Sequence, residues 1–147
     1  MISKWDARFL ALAKFYAGWS SDPSTKVGAV IVRSDRTQVS QGFNGFPRGT
    51  SDAPSLYADR ETKYARIVHA EANAIVMARE PLHGHTIYVW PFQPCASCSG
   101  LIIQSGIKRV VSFASDNPRW RDVFDHGAAM FAEAGVQLDL YPTQEQP

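Results

Sequence analysis

The chain has 147 residues, which suits one compact domain, and 45% of them are apolar, enough to build a core. Charged residues make up 20% of the sequence, which argues against global disorder. The formal net charge of +1 lacks the basic surplus that proteins bound to nucleic acid usually carry, so we expect no nucleic-acid partner.

The pattern of apolar residues predicts the first elements in chain order. Residues 5–17 have the spacing of an amphipathic helix and no apolar stretch of membrane length, so we expect a soluble, cytoplasmic protein without membrane contact. Residues 27–33 form a β-branched apolar run typical of a strand buried on both faces, and 37–43 add a second strand that closes a hairpin. Residues 44–63 are rich in Gly, Pro, Ser and Asp and are predicted to form a long loop.

The rest of the chain alternates helices with strands. We predict helices at 65–80, 95–106 and 119–134, and strands at 86–90, 108–113 and 136–140. Such alternation implies parallel crossovers, whereas the opening hairpin adds an antiparallel pair. The sequence therefore predicts a single α/β domain over 1–147, with a mixed five-stranded sheet between layers of helices.

Two short segments carry residues that bind metals. The first is His69-Ala70-Glu71, and the second contains the two cysteines of the chain, Cys95 and Cys98. One imidazole and two thiolates suit Zn²⁺ and leave a fourth position for water, as in catalytic zinc sites. Both segments lie near predicted helix N-termini, where the helix dipole and free N–H groups favour the thiolate. We therefore predict that His69, Cys95 and Cys98 are the metal ligands.

Glu71 follows His69 by two positions, so on a helix its carboxylate points away from the imidazole and toward a water at the metal. Zinc lowers the pKa of its water to about 7. A carboxylate beside that water can take the proton, pass it to a ring nitrogen, and then protonate the leaving amine. The pattern H-x-E followed by P-C-x-x-C is the known signature of zinc-dependent nucleobase deaminases. The sequence thus predicts a hydrolytic deaminase with Glu71 as its catalytic residue.

Two alternatives use the same cysteines. A C-x-x-C segment near a βαβ pattern is also typical of a thioredoxin-like redox dithiol, although His69 and Glu71 would then have no role. A closed structural zinc site needs a fourth protein ligand. The remaining histidines are the candidates for it: His83, His85 and His126.

Four segments extend the pattern beyond the metal-binding motifs: DPSTKVGAVIV at 22–32, GFNGFPRG at 42–49, HAEANAI at 69–75 and LIIQSGIKRVV at 101–111. With these segments the chain resembles the deoxycytidylate (dCMP) deaminases of the cytidine deaminase superfamily, over roughly residues 5–115. The resemblance implies a three-layer α/β/α cytidine deaminase-like fold and conversion of dCMP to dUMP with release of ammonia. It also implies a homo-oligomer, a hexamer or a dimer, and in many members activation by dCTP and inhibition by dTTP.

The resemblance also implies substrate contacts. Asn44 matches the asparagine of the family's G-x-N-G turn, which contacts the nucleotide, although a turn asparagine also has a purely local use. The run Val27-Gly28-Ala29 would line the base pocket, with Gly28 allowing close approach, and it would equally suit an ordinary buried strand. Ala70, which lies between the predicted metal ligand and the catalytic carboxylate, would also contact the substrate.

Phosphate recognition would fall to basic residues, because arginine binds phosphate in a bidentate manner. The candidates are Arg48, Arg60, Lys63, Arg66, Arg119 and Arg121. The family often follows its fourth strand with a Ser-Asp-Lys-Tyr segment, whereas this chain has SDNPRW at 115–120. That departure bears on substrate choice and effector control. Trp120 and Phe124 are expected on an ordinary helix face or at a subunit interface.

Other functions remain open from the sequence. The same zinc centre would serve free cytidine, a modified cytosine nucleotide or another aminated heterocycle. A tRNA adenosine deaminase typically has a shorter segment before its His-Ala-Glu and relies on basic residues for RNA, and neither feature is found here. A non-catalytic nucleotide-binding protein on the same fold would have no chemical need for Glu71.

Overall fold

A computed structural model gives the structure of the chain and describes residues 1–146. The helices are α1 (Lys4–Ala17), α2 (Pro54–Ala58), α3 (Arg60–Arg66), α4 (Ala70–Met77), α5 (Ala96–Gln104) and α6 (Arg121–Ala134). The strands are β1 (Gly28–Val32), β2 (Gln38–Phe43), β3 (Thr86–Trp90), β4 (Arg109–Phe113) and β5 (Gln137–Tyr141). Short 3₁₀ turns lie at Pro118–Trp120 and Thr143–Glu145.

The strands form one five-stranded sheet in the order β2-β1-β3-β4-β5. β1 pairs antiparallel with β2 and with β3, while β3, β4 and β5 run parallel. α1 packs on one face of the sheet, and α4 packs on the other, where α5 and α6 also pack together. The predicted three-layer α/β/α arrangement with a mixed sheet is therefore confirmed. No helix within residues 1–146 is both long and apolar enough to cross a membrane.

Each face of the sheet has its own apolar core, and β1 contributes to both. Val30 and Val32 pack with Leu10 of α1 on one face, whereas Ala29 and Ile31 belong to the core beneath α4. This division follows from the alternation of side chains along a strand. All of β1 is buried, as the sequence predicted, because helices cover both of its faces.

Two glycines let a helix approach each face closely. A Cβ at Gly28 would lie 1.9 Å from the Ala13 carbonyl oxygen of α1, and one at Gly42 would lie 2.3 Å from the Ala70 carbonyl oxygen of α4. Such distances are impossible for a side chain, so both helices reach the sheet only because these positions are glycine. Gly28 thus faces α1 and serves helix packing, which corrects its assignment to the base pocket.

The structure differs from the sequence prediction between residues 44 and 80. The predicted loop contains α2 and the first residues of α3. The helix predicted over 65–80 is interrupted, because α3 ends at Arg66 and α4 begins only at Ala70, with an extended break that includes 67–68. At the break, the amide of Val68 donates to the Gly45 carbonyl at 2.8 Å, and the Gly45 amide donates to the Val68 carbonyl at 3.1 Å. The β-branched pair at 67–68 favours extended backbone, and this bridge satisfies its polar groups. The remaining elements lie where predicted, with ends displaced by at most two residues.

Candidate metal and active site

His69, Cys95 and Cys98 converge where two helices begin. His69 is the N-cap residue of α4, Cys95 is the N-cap residue of α5, and Cys98 lies in the first turn of α5. The Nδ1 atom of His69 is 3.5 Å from Sγ of Cys95 and 3.4 Å from Sγ of Cys98. All three donor atoms lie within 4.8 Å of one another. The structure therefore brings together the three residues that the sequence predicted as ligands, and it places them at the starts of α4 and α5.

The two thiols lie close enough to form a hydrogen bond with each other. A hydrogen bond from Cys98 lowers the pKa of Cys95 to about 4, and His69 adds to this effect. The same hydrogen bond, together with burial, raises the pKa of Cys98. Two thiolates so close together need a cation between them, because each disfavours ionisation of the other. One imidazole and two thiolates are ligands that Zn²⁺ prefers, and three protein ligands leave one coordination position of the ion open.

No fourth protein ligand for a closed site is found in the described part of the chain. The group that could hold a metal consists of His69 and the two cysteines alone. His85 lies 3.5 Å from Glu80 before β3 begins, whereas Cys95 follows the other end of that strand. His83 packs beside Gly106, and His126 is exposed on α6. Three protein ligands with an open fourth position are typical of catalytic zinc sites, and this group has that composition.

Glu71 lies in the first turn of α4 and is only 4% exposed. Burial raises the pKa of Glu71 to about 7. Within residues 1–146, no cationic or hydroxyl side chain donates a hydrogen bond to its carboxylate. Buried carboxylates with a structural role are normally paired, so an unpaired one beside a metal site is a candidate for proton transfer near neutral pH.

A cavity of about 630 Å³ opens over these groups, a volume typical of small-ligand sites. Its lining includes His69, Ala70, Glu71 and Cys95, together with Asn44. Aromatic side chains form much of the remaining wall: Tyr57, Tyr64, Phe92, Trp120 and Phe124. A mostly apolar wall around the Glu71 carboxylate and a metal-binding group is suited to a planar aromatic base.

The predicted substrate residues divide between cavity and core. Val27 and Ala70 line the cavity with Asn44, whereas Ala29 is completely buried in the core and does not line it. Asn44 accepts a hydrogen bond from the amide of Val27 at 2.8 Å, and its Nδ2 donates to the Thr25 carbonyl at 2.8 Å. Asn44 therefore fixes the loop before β1 as well as contributing to the cavity wall.

The six basic candidates for phosphate also separate. Arg48 does not line the cavity, and its guanidinium lies 3.3 Å from Sδ of Met77, so its placement in the substrate site is corrected. Arg66 and Arg121 do not line the cavity either. The three that do are Arg60, Lys63 and Arg119.

A buried ion pair that the sequence analysis missed closes one side of the cavity. Asp22 is 1% exposed, and its Oδ2 lies 2.8 Å from Nζ of Lys63. The amides of Ser24 and Thr25 donate to its Oδ1 at 2.9 and 3.2 Å. Burial alone would raise the pKa of Asp22, but Lys63 and these amides outweigh it and lower that pKa. The available signal was the Asp-Pro-Ser turn, in which an aspartate caps the following amides.

The aromatic segment before and within α6 also belongs to the cavity. Phe124 is buried, and its ring centroid lies 5.7 Å from that of Phe92. α6 approaches α5 closely because Gly127 has no side chain, since a Cβ there would lie 2.6 Å from Oγ of Ser99. Trp120 and Phe124 therefore line the site and do not form an ordinary outer helix face, which no local pattern in the sequence indicated.

The fold and the histidine–cysteine site together define a hydrolytic deaminase of the cytidine deaminase superfamily. A family model described as the cytidine and deoxycytidylate deaminase zinc-binding region matches residues 3–114, and the chain belongs to this family. A deaminase encoded in the luxG 3′ region of Aliivibrio fischeri, uncharacterized, is 44% identical over 148 residues, which cover 97% of each chain.

Two further comparisons are with dCMP deaminases, one by sequence and one by fold. Human deoxycytidylate deaminase is 39% identical over 139 residues, covering 90% of this chain and 77% of the human one. The crystal structure of dCMP deaminase from cyanophage S-TIM5 superposes with a TM-score of 0.74 at 23% identity, covering 96% of this chain and all 100% of the phage chain. The phage enzyme thus shares the fold.

Proposed function

We propose that this protein catalyses the zinc-dependent hydrolytic deamination of dCMP to dUMP. The observation that carries the proposal is the position of Glu71, a buried carboxylate with a pKa near neutrality beside three metal-binding side chains at the wall of one cavity. The choice of dCMP rests on the relatives named for that substrate, which include the human enzyme at 39% identity.

Each residue of the site has a distinct role in the proposed reaction. His69, Cys95 and Cys98 would hold the zinc, which when bound supplies an activated water as the nucleophile. Glu71 accepts a proton from that nucleophile and delivers it to the ring nitrogen next to the reacting carbon. It then takes the second proton to the amine, which leaves as ammonia, so the product carries a carbonyl in place of the amino group.

The wall residues position the base. Val27, Ala70 and Asn44 are proposed as its contacts, since all three line the cavity that contains Glu71. Phe92 and Phe124 pack at the wall with their ring planes tilted by 44°, and they would exclude bulk water from the reacting atoms. Regulation by dCTP and dTTP and assembly into a homo-oligomer remain predictions from the family resemblance.

Replacing Glu71 by Gln tests the mechanism. The amide keeps the shape of the side chain but cannot carry the proton, so we expect ammonia release from dCMP to fall by about 10²–10⁴-fold. Zinc content, measured by elemental analysis, should be unchanged, because Glu71 is not among the ligands. The exposed Glu61→Gln on α3 is the matched control and should keep the parent rate. Full activity in Glu71→Gln would refute the proposed proton transfer.

A substrate panel tests the choice of nucleotide. The zinc-loaded protein is incubated separately with dCMP, deoxycytidine, CMP, dCTP and 5-methyl-dCMP, and ammonia is followed with and without added dCTP. We expect dCMP to be the preferred substrate, and a rate that rises with dCTP would add allosteric control. If zinc is bound and none of these compounds reacts, the substrate is another aminated heterocycle.

A further inference from the structure

Gln93 places an amide side chain in the cavity wall near the metal-binding residues. It precedes Cys95 by two positions, and both Cys95 and the neighbouring Phe92 also line the cavity. Gln93 is only 8% exposed, whereas a residue at the rim of the cavity such as Tyr64 is 55% exposed. An uncharged hydrogen-bonding group therefore lies at the buried end of the cavity, which also contains Glu71.

A hydrogen bond to α6 fixes which end of the Gln93 amide faces the cavity. Nε2 of Gln93 donates to the carbonyl oxygen of Phe124 at 3.4 Å. A carbonyl oxygen only accepts hydrogen bonds, so the NH₂ group faces α6 and the Oε1 atom points away from it. Within residues 1–146, Oε1 has no hydrogen-bond partner, and the polar side-chain atoms that are fully enclosed without a partner belong to His85 and Trp90 instead. Oε1 therefore opens into the cavity as an available acceptor.

The other buried, uncharged polar side chains of the cavity wall, Asn44 and Tyr57, already have partners. Asn44 uses its amide in the two hydrogen bonds that fix the loop before β1. The Tyr57 hydroxyl donates to Asp52 at 2.7 Å and accepts from the amide of Phe46 at 3.2 Å. Among the buried neutral groups that line the cavity in the described chain, Gln93 is thus the one whose acceptor remains available for a ligand.

An acceptor at the reacting end of the cavity matches the amino group of the substrate. In the proposed reaction Glu71 exchanges protons with the ring nitrogen, whereas the amino group on the reacting carbon carries two N–H donors. An acceptor oxygen binds such a donor, but it faces the lone pairs of the carbonyl oxygen that replaces the amine in the product. Leaving a buried acceptor without a donor lowers affinity by about tenfold or more, so the oxygen would discriminate between the two ligands.

We propose that Gln93 is a specificity-determining residue, whose Oε1 accepts a hydrogen bond from the amino group of the substrate and so favours the cytosine substrate over the uracil product. This inference rests on the proposed function, because it concerns the same cavity and the same reaction. The carbonyl of Phe124 acts through the Gln93 amide, since it keeps the acceptor turned toward the ligand. Weaker binding of the carbonyl product also favours its release.

The test compares two ligands that differ at the amino group. Zinc-loaded Glu71→Gln protein is titrated with dCMP and with dUMP, and we expect dCMP to bind about tenfold more tightly. In this background Gln93→Met keeps the length of the side chain but removes the acceptor, so the preference for dCMP should disappear. Gln93→Glu retains an acceptor oxygen but has no donor for the Phe124 carbonyl, and it should keep most of the preference.

A matched control is Gln104→Met on α5, which changes an exposed glutamine that does not line the cavity and should keep the parent preference. Equal binding of dCMP and dUMP while Gln93 is intact would overturn the inference, and this measurement needs no variant at Gln93 that folds. An unchanged preference in Gln93→Met would overturn it too. Equal losses in Gln93→Met and Gln93→Glu would also do so, because they would assign Gln93 to its contact with α6 alone.

The same titrations separate this inference from the proposed function. Absence of dCMP turnover by the protein with Glu71 intact would refute only the proposed function, because the two affinities still report on the acceptor. Failure of both nucleotides to bind would refute both proposals.

Discussion

Each face of the sheet buries a carboxylate, Asp6 on the α1 face and Glu71 on the α4 face, and the two differ in their hydrogen-bond partners. On the α1 face, Asp6 is 3% exposed and accepts hydrogen bonds from Arg109 at 2.8 and 2.9 Å, from Tyr88 at 2.9 Å and from Tyr141 at 2.5 Å. On the α4 face, Glu71 is equally buried but receives no such bonds in the described chain.

The hydrogen-bond partners set the pKa of each carboxylate, and the pKa determines whether that carboxylate can exchange protons near neutral pH. Burial alone would raise the pKa of Asp6, but the hydrogen bonds from Arg109, Tyr141 and Tyr88 outweigh it and hold that pKa below its usual value. With nothing comparable around Glu71, burial raises its pKa to about 7. The first carboxylate stays ionised and ties α1 to β3, β4 and β5, whereas the second is left able to exchange protons.

The largest expected effects come from substitutions at Gly28 and Gly42, which face α1 and α4 on opposite sides of the sheet. Gly28→Ala and Gly42→Ala should each cost about 3 kcal/mol or more, because the new Cβ would lie 1.9 Å or 2.3 Å from a helix carbonyl oxygen. Only Gly42→Ala displaces α4, whose first residue Ala70 lies between His69 and Glu71. We therefore expect it also to lower zinc content and turnover per folded molecule at least tenfold, whereas Gly28→Ala should keep both.

Urea unfolding, zinc analysis and dCMP turnover at a temperature where both variants remain folded give the comparison. Gly100→Ala on α5 is the control, because a Cβ there meets no atom within 4 Å and alanine favours a helix by up to about 1 kcal/mol. Loss of zinc from folded Gly28→Ala protein would show that the two faces are not independent.

The next largest expected effect is on stability, and it differs between the buried carboxylates Asp6 and Glu71. Asp6→Asn should lower the free energy of unfolding by about 3 kcal/mol, because it breaks a buried ion pair. Arg109 keeps its 2.7 Å contact with Asp139, which limits the loss. Glu71→Gln should leave stability unchanged or raise it, since it removes a buried charge that has no partner. Urea midpoints at neutral pH measure both, with the exposed Asp125→Asn as the control. Equal destabilisation by the two variants would remove the distinction.

The pH dependence of the Asp6 variant follows from the direction of its pKa shift. Because the folded-state pKa is lowered, the stabilisation by Asp6 is fully present above the unfolded-state pKa of about 3.9 and is lost as the pH falls through the folded-state value. The stability gap between the parent protein and Asp6→Asn should therefore be constant between about pH 5 and 7 and should close below about pH 4. A gap that widens on acidification would contradict this assignment.

The sequence predicted what is encoded locally. His69, Glu71, Cys95 and Cys98 follow from short motifs because each pair sits within one helical turn, and helix starts place their side chains without help from distant residues. The order of strands and helices was likewise set by hydrophobic periodicity. The break at 67–68 was missed because it depends on pairing with Gly45, more than twenty residues earlier.

The walls of the site could not be predicted in the same way. Lys63 meets Asp22 across 41 residues, and Arg119 meets Tyr64 across 55. Gly28 was placed in the base pocket because its segment matched the family, but the face to which it points depends on strand register. Asp6 looked like one charge on an amphipathic helix, and only the fold brings Arg109 to it, 103 residues later.

The smallest effect concerns a third buried carboxylate, whose place is intermediate between the other two. Asp22 is paired like Asp6 but lines the same cavity as Glu71. Lys63→Met should cost about 1–2 kcal/mol, since two backbone amides still bind Asp22, and should raise KM for dCMP more than it lowers kcat. The reason is that Lys63 holds α3, which carries Arg60 and Tyr64, against the loop that Asn44 fixes. Lys63→Arg should restore part of the affinity, and the exposed Lys108→Met should change neither constant. A loss confined to kcat would mean that Asp22 and Lys63 influence the position of Glu71 and the metal site. The cavity wall and the reacting groups would then not be independent of each other.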